Sequence, residues 1–305
     1  WRAAEQGTRR TGVVIPVHLP AHVDRTCGEA LLRDTALGYC AQAADPAAVC
    51  LSVDGEDCGA DIAARLGREL GVSTCVAPVN RGKLSAARNG VQALLGRPDL
   101  DYVTIVDGDG DHFPNELPNL VRAAQHIRGE AGVERVLVLG RRISRHRPMG
   151  LLRGELEELA DRMLLDALHD RAVVSGRPLR LEYATALEEY PDFHSGYKLF
   201  SRATAADVFL GEPQPAGASE ACYYRHAVEA VMVVEALEHG ALLGLVNRST
   251  LNEQPITTFG LLNRSRLTAD MILWPCRRLG VPAAFVRQWL ANHIPRLLLG
   301  TLAPA

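Results

Sequence analysis

Asp107, Asp109 and Asp111 alternate with Gly108 and Gly110 in the stretch DGDGD, which crowds three carboxylates together with little side-chain bulk between them. Carboxylates held that close repel one another unless protons or a cation neutralise them. Hard oxygen ligands suit a hard divalent cation, Mg2+ or Mn2+, of the kind that also grips phosphate oxygens. Taken alone, an Asp/Gly-rich run is equally the composition of a solvated turn. The flanks favour a site. Tyr102–Val106 is a short, apolar, β-branched run that reads as a buried strand, and Asn115–Ile127 carries Leu117, Leu120, Val121 and Ala124 at helical spacing. The acids therefore stand at the carboxyl end of a strand, where open α/β sheets bind ligands.

Other residues have the types and positions to share that chemistry. Asp54, Glu56 and Asp57 follow directly on the apolar run Val49–Val53, although helix caps and first-turn acids have the same composition. Asn80–Gly90 reads NRGKLSAARNG; Gly82 permits a tight turn into a helix whose N-terminal amides favour an anion, and Lys83 and Arg88 are placed to reach a diphosphate or a base. After Val136–Leu139 comes GRR, where Arg141 or Arg142 can clamp phosphate in bidentate fashion. Glu229 lies among Val228, Ala230, Val231 and Met232, an apolar setting that raises a carboxyl towards the working range of a general base. Asp192, Glu220, Glu235 and His226 are its rivals.

The elements that must hold these residues alternate. Gly12–Val17, ending in Pro16 and Val17, Val49–Val53, Ser73–Pro78, Tyr102–Val106, Val136–Leu139 and Leu242–Val246 read as strands. Glu29–Ala41, Asn115–Ile127, Leu152–Leu168 and Gly217–Gly240 read as helices between them, and Tyr197–Phe200 alternates as an edge strand would. That order predicts an α/β fold with a central, mostly parallel sheet flanked by helices. Leu262–Leu279 and Ala284–Leu299, separated by Gly280-Val281-Pro282, add two helices expected to pack on the core or on a second subunit, as in a homodimer.

Composition narrows the partners. A net charge of −3 over 305 residues gives no reason to expect nucleic acid. The seven cysteines form no C-x-x-C pair, which argues against both a zinc site and a disulfide framework and fits a reducing cytoplasm. Trp1–Arg10 is polar, and no run of about eighteen apolar residues occurs, so a secretory leader or a membrane span is not expected, and membrane contact is peripheral at most. Leu152–Leu168 carries Glu155, Glu157, Glu158, Asp161 and Asp166 on its polar face, where a helix resting on an anionic membrane would carry Lys and Arg.

DGDGDHFPNELPNLV resembles the metal-binding loop of the family 2 glycosyltransferases, particularly the dolichol- and polyprenyl-phosphate sugar transferases. The resemblance extends over roughly residues 11–260. VDGEDCG resembles the acidic turn that contacts the nucleotide base and ribose, though it lacks a residue and the Ser. Asn80, Gly82, Ala86, Asn89 and Gly90 resemble the family's next signature, and Gly140–Arg142 its G-S-R step. Asp192, Ser195, Gly196, Tyr197, Phe200 and Arg202 match D-x-x-S-G-[FY]-x-x-[FY]-x-R, which builds the acceptor wall, and Asn252–Thr258 resembles the strand that closes the catalytic domain. What the resemblance implies is a GT-A fold, with a catalytic domain at 11–260 and a helical extension at 261–305. It also implies Mg2+ or Mn2+ at Asp109, with Asp107 and Asp111, against a UDP- or GDP-type sugar donor. Asp54, Asp57, Asn80, Gly82, Lys83, Arg88, Gly108, Arg141 and Pro16 would surround that donor. The family inverts the anomeric carbon with a carboxylate base, here Glu229, which stands eleven residues before Gly240.

The expected activity is metal-dependent sugar transfer to a soluble small-molecule acceptor, the acidic helix speaking against the polyprenyl phosphate of the resembling branch. A nucleotidyltransferase would open with a Gly-rich loop after the first strand, and here that loop is HLPAHVDR. A non-catalytic nucleotide-sugar binder is the remaining alternative.

Overall fold

The apolar runs become strands buried from both sides, because helices cover both faces of a parallel sheet. The computed structural model describes residues 2–184, 190–250 and 264–302. In chain order the first half comprises α1 (Arg2–Arg9), β1 (Thr11–Val17), α2 (Arg25–Cys40), β2 (Val49–Asp54), α3 (Ala60–Leu70), β3 (Ser73–Ala77), α4 (Lys83–Leu95), β4 (Tyr102–Ile105) and α5 (Leu117–Ala131). The second half comprises β5 (Val136–Arg142), α6 (His146–Met149), α7 (Leu151–Ser175), β6 (Lys198–Ser201), α8 (Arg202–Ala205), α9 (Val228–Glu238), β7 (Leu242–Arg248), α10 (Arg264–Arg278) and α11 (Ala283–Leu302). The strand order is β3-β2-β1-β4-β6-β5-β7.

The chain winds outward from β1 through β2 to β3, then crosses back to place β4 on the other side of β1. That reversal opens a crevice beyond the carboxyl ends of β1 and β4, the usual binding position in such sheets. β6 runs antiparallel between β4 and β5, so the Tyr197–Phe200 segment enters the sheet interior rather than an edge. Alternation along β1 supplies both cores: Val13, Ile15 and Val17 pack on one face, and Val14 on the other.

A further expectation changes. The stretch 217–240 is not one helix: a π-helical turn at Cys222–His226 ends at Ala227, and α9 begins at Val228. The reason is tertiary, since the Tyr224 backbone crosses Gly82 so closely that a Cβ there would lie 2.3 Å from the Tyr224 carbonyl oxygen. At the N-terminus the polar residues form α1, which packs on α5 through Gly7 and a bond from Gln125 Nε2 to the Ala3 carbonyl (3.0 Å). Asn252–Thr258 lies outside the described residues, and among those described no helix is long and apolar enough to cross a membrane.

α10 and α11 pack against the rest of the chain. Trp274 is fully buried beside Tyr223, and its indole N–H donates to the Gln214 carbonyl (3.1 Å). Arg278 makes a two-pronged ion pair with Glu235 of α9 at 2.7 and 2.9 Å, and His293 meets Asp166 of α7 at 2.6 Å. Replacing a buried indole removes apolar contact, leaves a cavity and orphans the Gln214 carbonyl. Trp274→Ala is expected to lower the unfolding free energy by about 3–5 kcal/mol, measured by urea denaturation at constant m-value.

Candidate active site

A cavity of about 330 Å³ lies at the crevice, lined by Pro16, Lys83, Asp107, Gly108, Asp109 and Glu229 among others. The loop after β4 is anchored from inside. Val106 N–H still donates to the Val14 carbonyl (3.1 Å), and the next amide, that of Asp107, donates to His112 Nδ1 (2.9 Å). His112 is buried and stacked on Tyr197 with ring centres 5.0 Å apart, and Tyr39 donates to its carbonyl oxygen. Burial, together with Arg248, holds the His112 imidazolium far below the usual pKa, so the ring is neutral and Nδ1 is free to accept. Gly196 approaches Asp107 so closely that a Cβ would stand 2.8 Å from Oδ2.

Lys83, the first residue of α4, sends its ammonium between two acids from distant segments. Nζ is 2.7 Å from Asp107 Oδ1 and 2.8 Å from Glu229 Oε1. Burial disfavours this charge, but Asp107 and Glu229 outweigh it and raise the Lys83 pKa. Burial likewise lifts Asp107 and Glu229; Lys83 leads the groups that reverse this, joined by Arg248 at Asp107 and by Lys198 at Glu229, and both acids end below their ordinary values. The apolar setting of Glu229 therefore does not raise its carboxyl, contrary to the sequence expectation.

The three aspartates meet different fates. Asp107 is paired with Lys83, and Asp111 is buried against both guanidinium nitrogens of Arg248 at 3.2 Å. Asp109 accepts the Asp111 amide (3.1 Å), but burial and then Asp107 push its carboxyl up to about 6. Among the described residues, the group of three metal-ligating atoms within 4.8 Å of one another is His146, Glu155 and Glu158, not the aspartate trio. Asp111 is engaged by Arg248 from its own side of the loop. Asp109 and Asp107 fit an ion of the Mg2+ type, which takes one or two carboxylates and fills its remaining positions with phosphate oxygens and water.

No protein-family profile and no curated protein sequence matches the chain. Solved structures do. A mycobacterial protein is 18% identical over 92% of this chain and 78% of its own, with a TM-score of 0.53. The M. tuberculosis glucosyl-3-phosphoglycerate synthase is 18% identical over 92% of this chain and 85% of its own, with a TM-score of 0.55. The chain has a GT-A fold.

Within that fold the other expected site residues separate into two groups. Pro16 and Gly108 line the cavity, and Gly108 is hemmed in by Leu32 and Ile15, 3.1 and 3.3 Å from where a Cβ would be. Asp54 is buried and spends its two oxygens on backbone, accepting the amides of Arg81 (3.0 Å) and Gly82 (2.6 Å), which fixes the turn that launches Lys83. Asn80 Nδ2 faces His18 Nδ1 (3.3 Å), and Arg225 holds the Asn80 carbonyl (2.7 Å). Arg88 points away, donating to the Val208 and Gly211 carbonyls, and Arg141 meets Asn247 while its neighbour Arg142 lines the cavity. Asp57 is exposed. Glu220 is exposed and ion-paired with Arg81. Asp192 is fully buried and held by Arg142, which with Arg145 keeps its carboxyl ionised against the effect of burial. Glu235 is taken by Arg278, and His226 by Asp270 at 2.6 Å.

Sequence reasoning passed over several residues. Arg202 of the third signature caps α4, donating to the Leu95, Arg97 and Leu100 carbonyls. The acids of α7 do not all face solvent, for Glu157 and Asp161 are buried and paired with Arg142 and Arg145. That removes the acidic helix face as an argument about the acceptor. Lys198 is fully buried in β6, donates to the Ser195 carbonyl and faces Glu229; a lysine inside the run YKLF was the available signal.

Burial and Lys83 pull Lys198 down to about 8 despite the opposing pull of Glu229. The unfolded chain, in which this lysine keeps its ordinary value of 10.5, then binds more protons between about 8 and 10.5, so this residue makes stability rise with pH over that window. In Lys198→Met that contribution, at most about 1.4 kcal/mol per pH unit, should vanish from the denaturation free energy measured between pH 8 and 10.

Proposed function

We propose that the protein is a metal-dependent glycosyltransferase that moves a sugar, with inversion, from a UDP- or GDP-type sugar donor to a small-molecule acceptor. The observation that carries this reading is the charge cluster at the switch point: Lys83 clamped between Asp107 and Glu229, and close to it Asp109, whose carboxyl burial and Asp107 push up to about 6. Sharing the GT-A fold with a glucosyl-3-phosphoglycerate synthase supports sugar transfer, since that is the activity its name states.

Asp109, with Asp107, would hold Mg2+ or Mn2+, and the ion would neutralise charge building on the departing diphosphate. The chain's own residues do the rest. Lys83 places a permanent positive charge where the diphosphate lies, and the N-terminus of α4 adds its free amides and dipole. Asp54 fixes that N-terminus by gripping the Arg81 and Gly82 amides. Pro16, His18 and Arg225 line the same cavity and would border the nucleotide. Positioning and electrostatic stabilisation supply most of the catalysis such a site can offer.

Asp109→Asn keeps the shape and removes the charge. Transfer, followed as release of UDP or GDP from a nucleotide-sugar panel with Mg2+ or Mn2+, should fall by about 10²–10³-fold, comparable to removing one preorganised stabilising group. Stability should move the other way. Because the folded carboxyl is raised to about 6, ionised Asp109 destabilises the fold above that pH, so the variant's melting temperature at pH 7.5 should equal or exceed that of the parent. Near-normal turnover at saturating Mn2+ would remove Asp109 from the metal site.

A further inference from the structure

The cavity is also lined by Arg142, Arg153, Glu157 and His194, which neither the ion nor the diphosphate employs. Around them the charges balance. Arg142 pairs with Asp192 (2.6 Å) and Glu157 (2.7 Å), Arg145 with Asp161 (2.7 Å), and Arg153 with Glu157 (3.0 Å). The guanidiniums of Arg142, Arg145 and Arg153 thus face the carboxylates of Asp161, Asp192 and Glu157. Each of these three guanidiniums is already matched by a carboxylate, which favours a neutral acceptor beside them over a phosphate or carboxylate, and paired buried charges of this kind hold one another in place.

His194 is different. Asp161 Oδ1 receives both its backbone amide (3.1 Å) and its ring Nδ1 (2.7 Å). A carboxylate accepts from the ring, so Nδ1 is the nitrogen that donates, and in the neutral ring the opposite nitrogen, Nε2, carries the lone pair. Among the described residues Nε2 is buried with no hydrogen-bond partner, in a residue 6% exposed that lines the cavity. Buried polar atoms are nearly always paired, and a bound hydroxyl group would give this one a partner. The carboxylates that rival it are committed: Asp192 to Arg142, and Glu229 to Lys83.

We propose that His194, oriented by Asp161, is the general base that takes the acceptor's proton, and that the acceptor is a neutral hydroxyl compound of the sugar or polyol class. This rests on the sugar-transfer reading above. The acceptor O–H bond breaks and its proton moves to Nε2. The oxygen lone pair forms a bond to the anomeric carbon from the face opposite the diphosphate. The bond from that carbon to the diphosphate oxygen breaks, and its electrons leave with the nucleotide diphosphate. Asp161 stabilises the imidazolium so formed, as a carboxylate does behind a catalytic histidine.

The test compares nucleophiles that do and do not need a base. His194→Asn retains an amide N–H for Asp161 but has no basic atom at the Nε2 position. Donor turnover is measured as release of UDP or GDP from the nucleotide sugar with Mg2+, first with water and glycerol as acceptors, then with sodium azide, an anion with no proton to lose. Turnover on water and glycerol should fall by about 10²–10⁴-fold, while formation of the glycosyl azide stays near the parent rate. Azide turnover also reports that the variant is folded and binds donor. The proposal is overturned if hydroxyl transfer is undiminished, if hydroxyl and azide transfer fall together, or if the parent and variant transfer equally well to a polyprenyl phosphate. A parent enzyme that releases no nucleotide diphosphate from any donor, with or without azide, overturns the sugar-transfer reading itself.

Discussion

One half-buried ammonium organises the site. Lys83 Nζ joins Asp107, at the end of β4, to Glu229, in the first turn of α9, so that segments 146 residues apart share one charge balance. Removing Lys83 would leave two carboxylates facing each other without a cation, whereas removing either acid leaves the ammonium one partner. The geometry that delivers the ammonium is equally constrained. Gly82 adopts φ 132° and touches the Tyr224 backbone, a position closed to any residue with a Cβ, and Asp54 holds the two amides of the turn.

The same rule of local neutralisation holds for most of the interior. Arg248 answers Asp111, Arg142 answers Asp192 and Glu157, and Arg278 answers Glu235. Asp109 and His194 Nε2 stand out against that pattern: the first is short of a positive charge and the second of a proton donor. Both residues border one cavity. In the proposed reaction a metal-bound diphosphate would neutralise the first and an acceptor hydroxyl would pair with the second, so the proposed donor and acceptor would meet there.

The reversal of β6 is what brings the two sides together. Running antiparallel between β4 and β5, it carries the 194–196 turn back over the acidic loop, with Gly196 against Asp107 and Ser195 bonded to the Gly140 carbonyl at the end of β5. α7 then closes the acceptor side from beyond, through Glu157 and Asp161. Had β6 taken an edge, His194 and Asp109 would not border a common space.

Local chemistry made much of this legible in the sequence. Strands were visible as short apolar, β-branched runs, and the acidic loop at the end of β4 and the glycine before Lys83 were visible because strand ends and tight turns leave signatures within a few residues. What those signatures do not contain is which distant group answers each charge. Arg141 and Arg142 look alike in sequence, yet alternation along β5 sends only Arg142 to the cavity, and that choice depends on register. Glu229 reads as a carboxyl raised by apolar neighbours until Lys83 arrives from another element and reverses the shift. The acids of α7 read as a wet face until Arg142, on β5, and Arg145, beyond its end, turn two of them inward. Periodicity and turn chemistry act over a few residues and are written in the chain; charge pairing in the interior acts across the fold, so it exists only once the fold has brought the partners together.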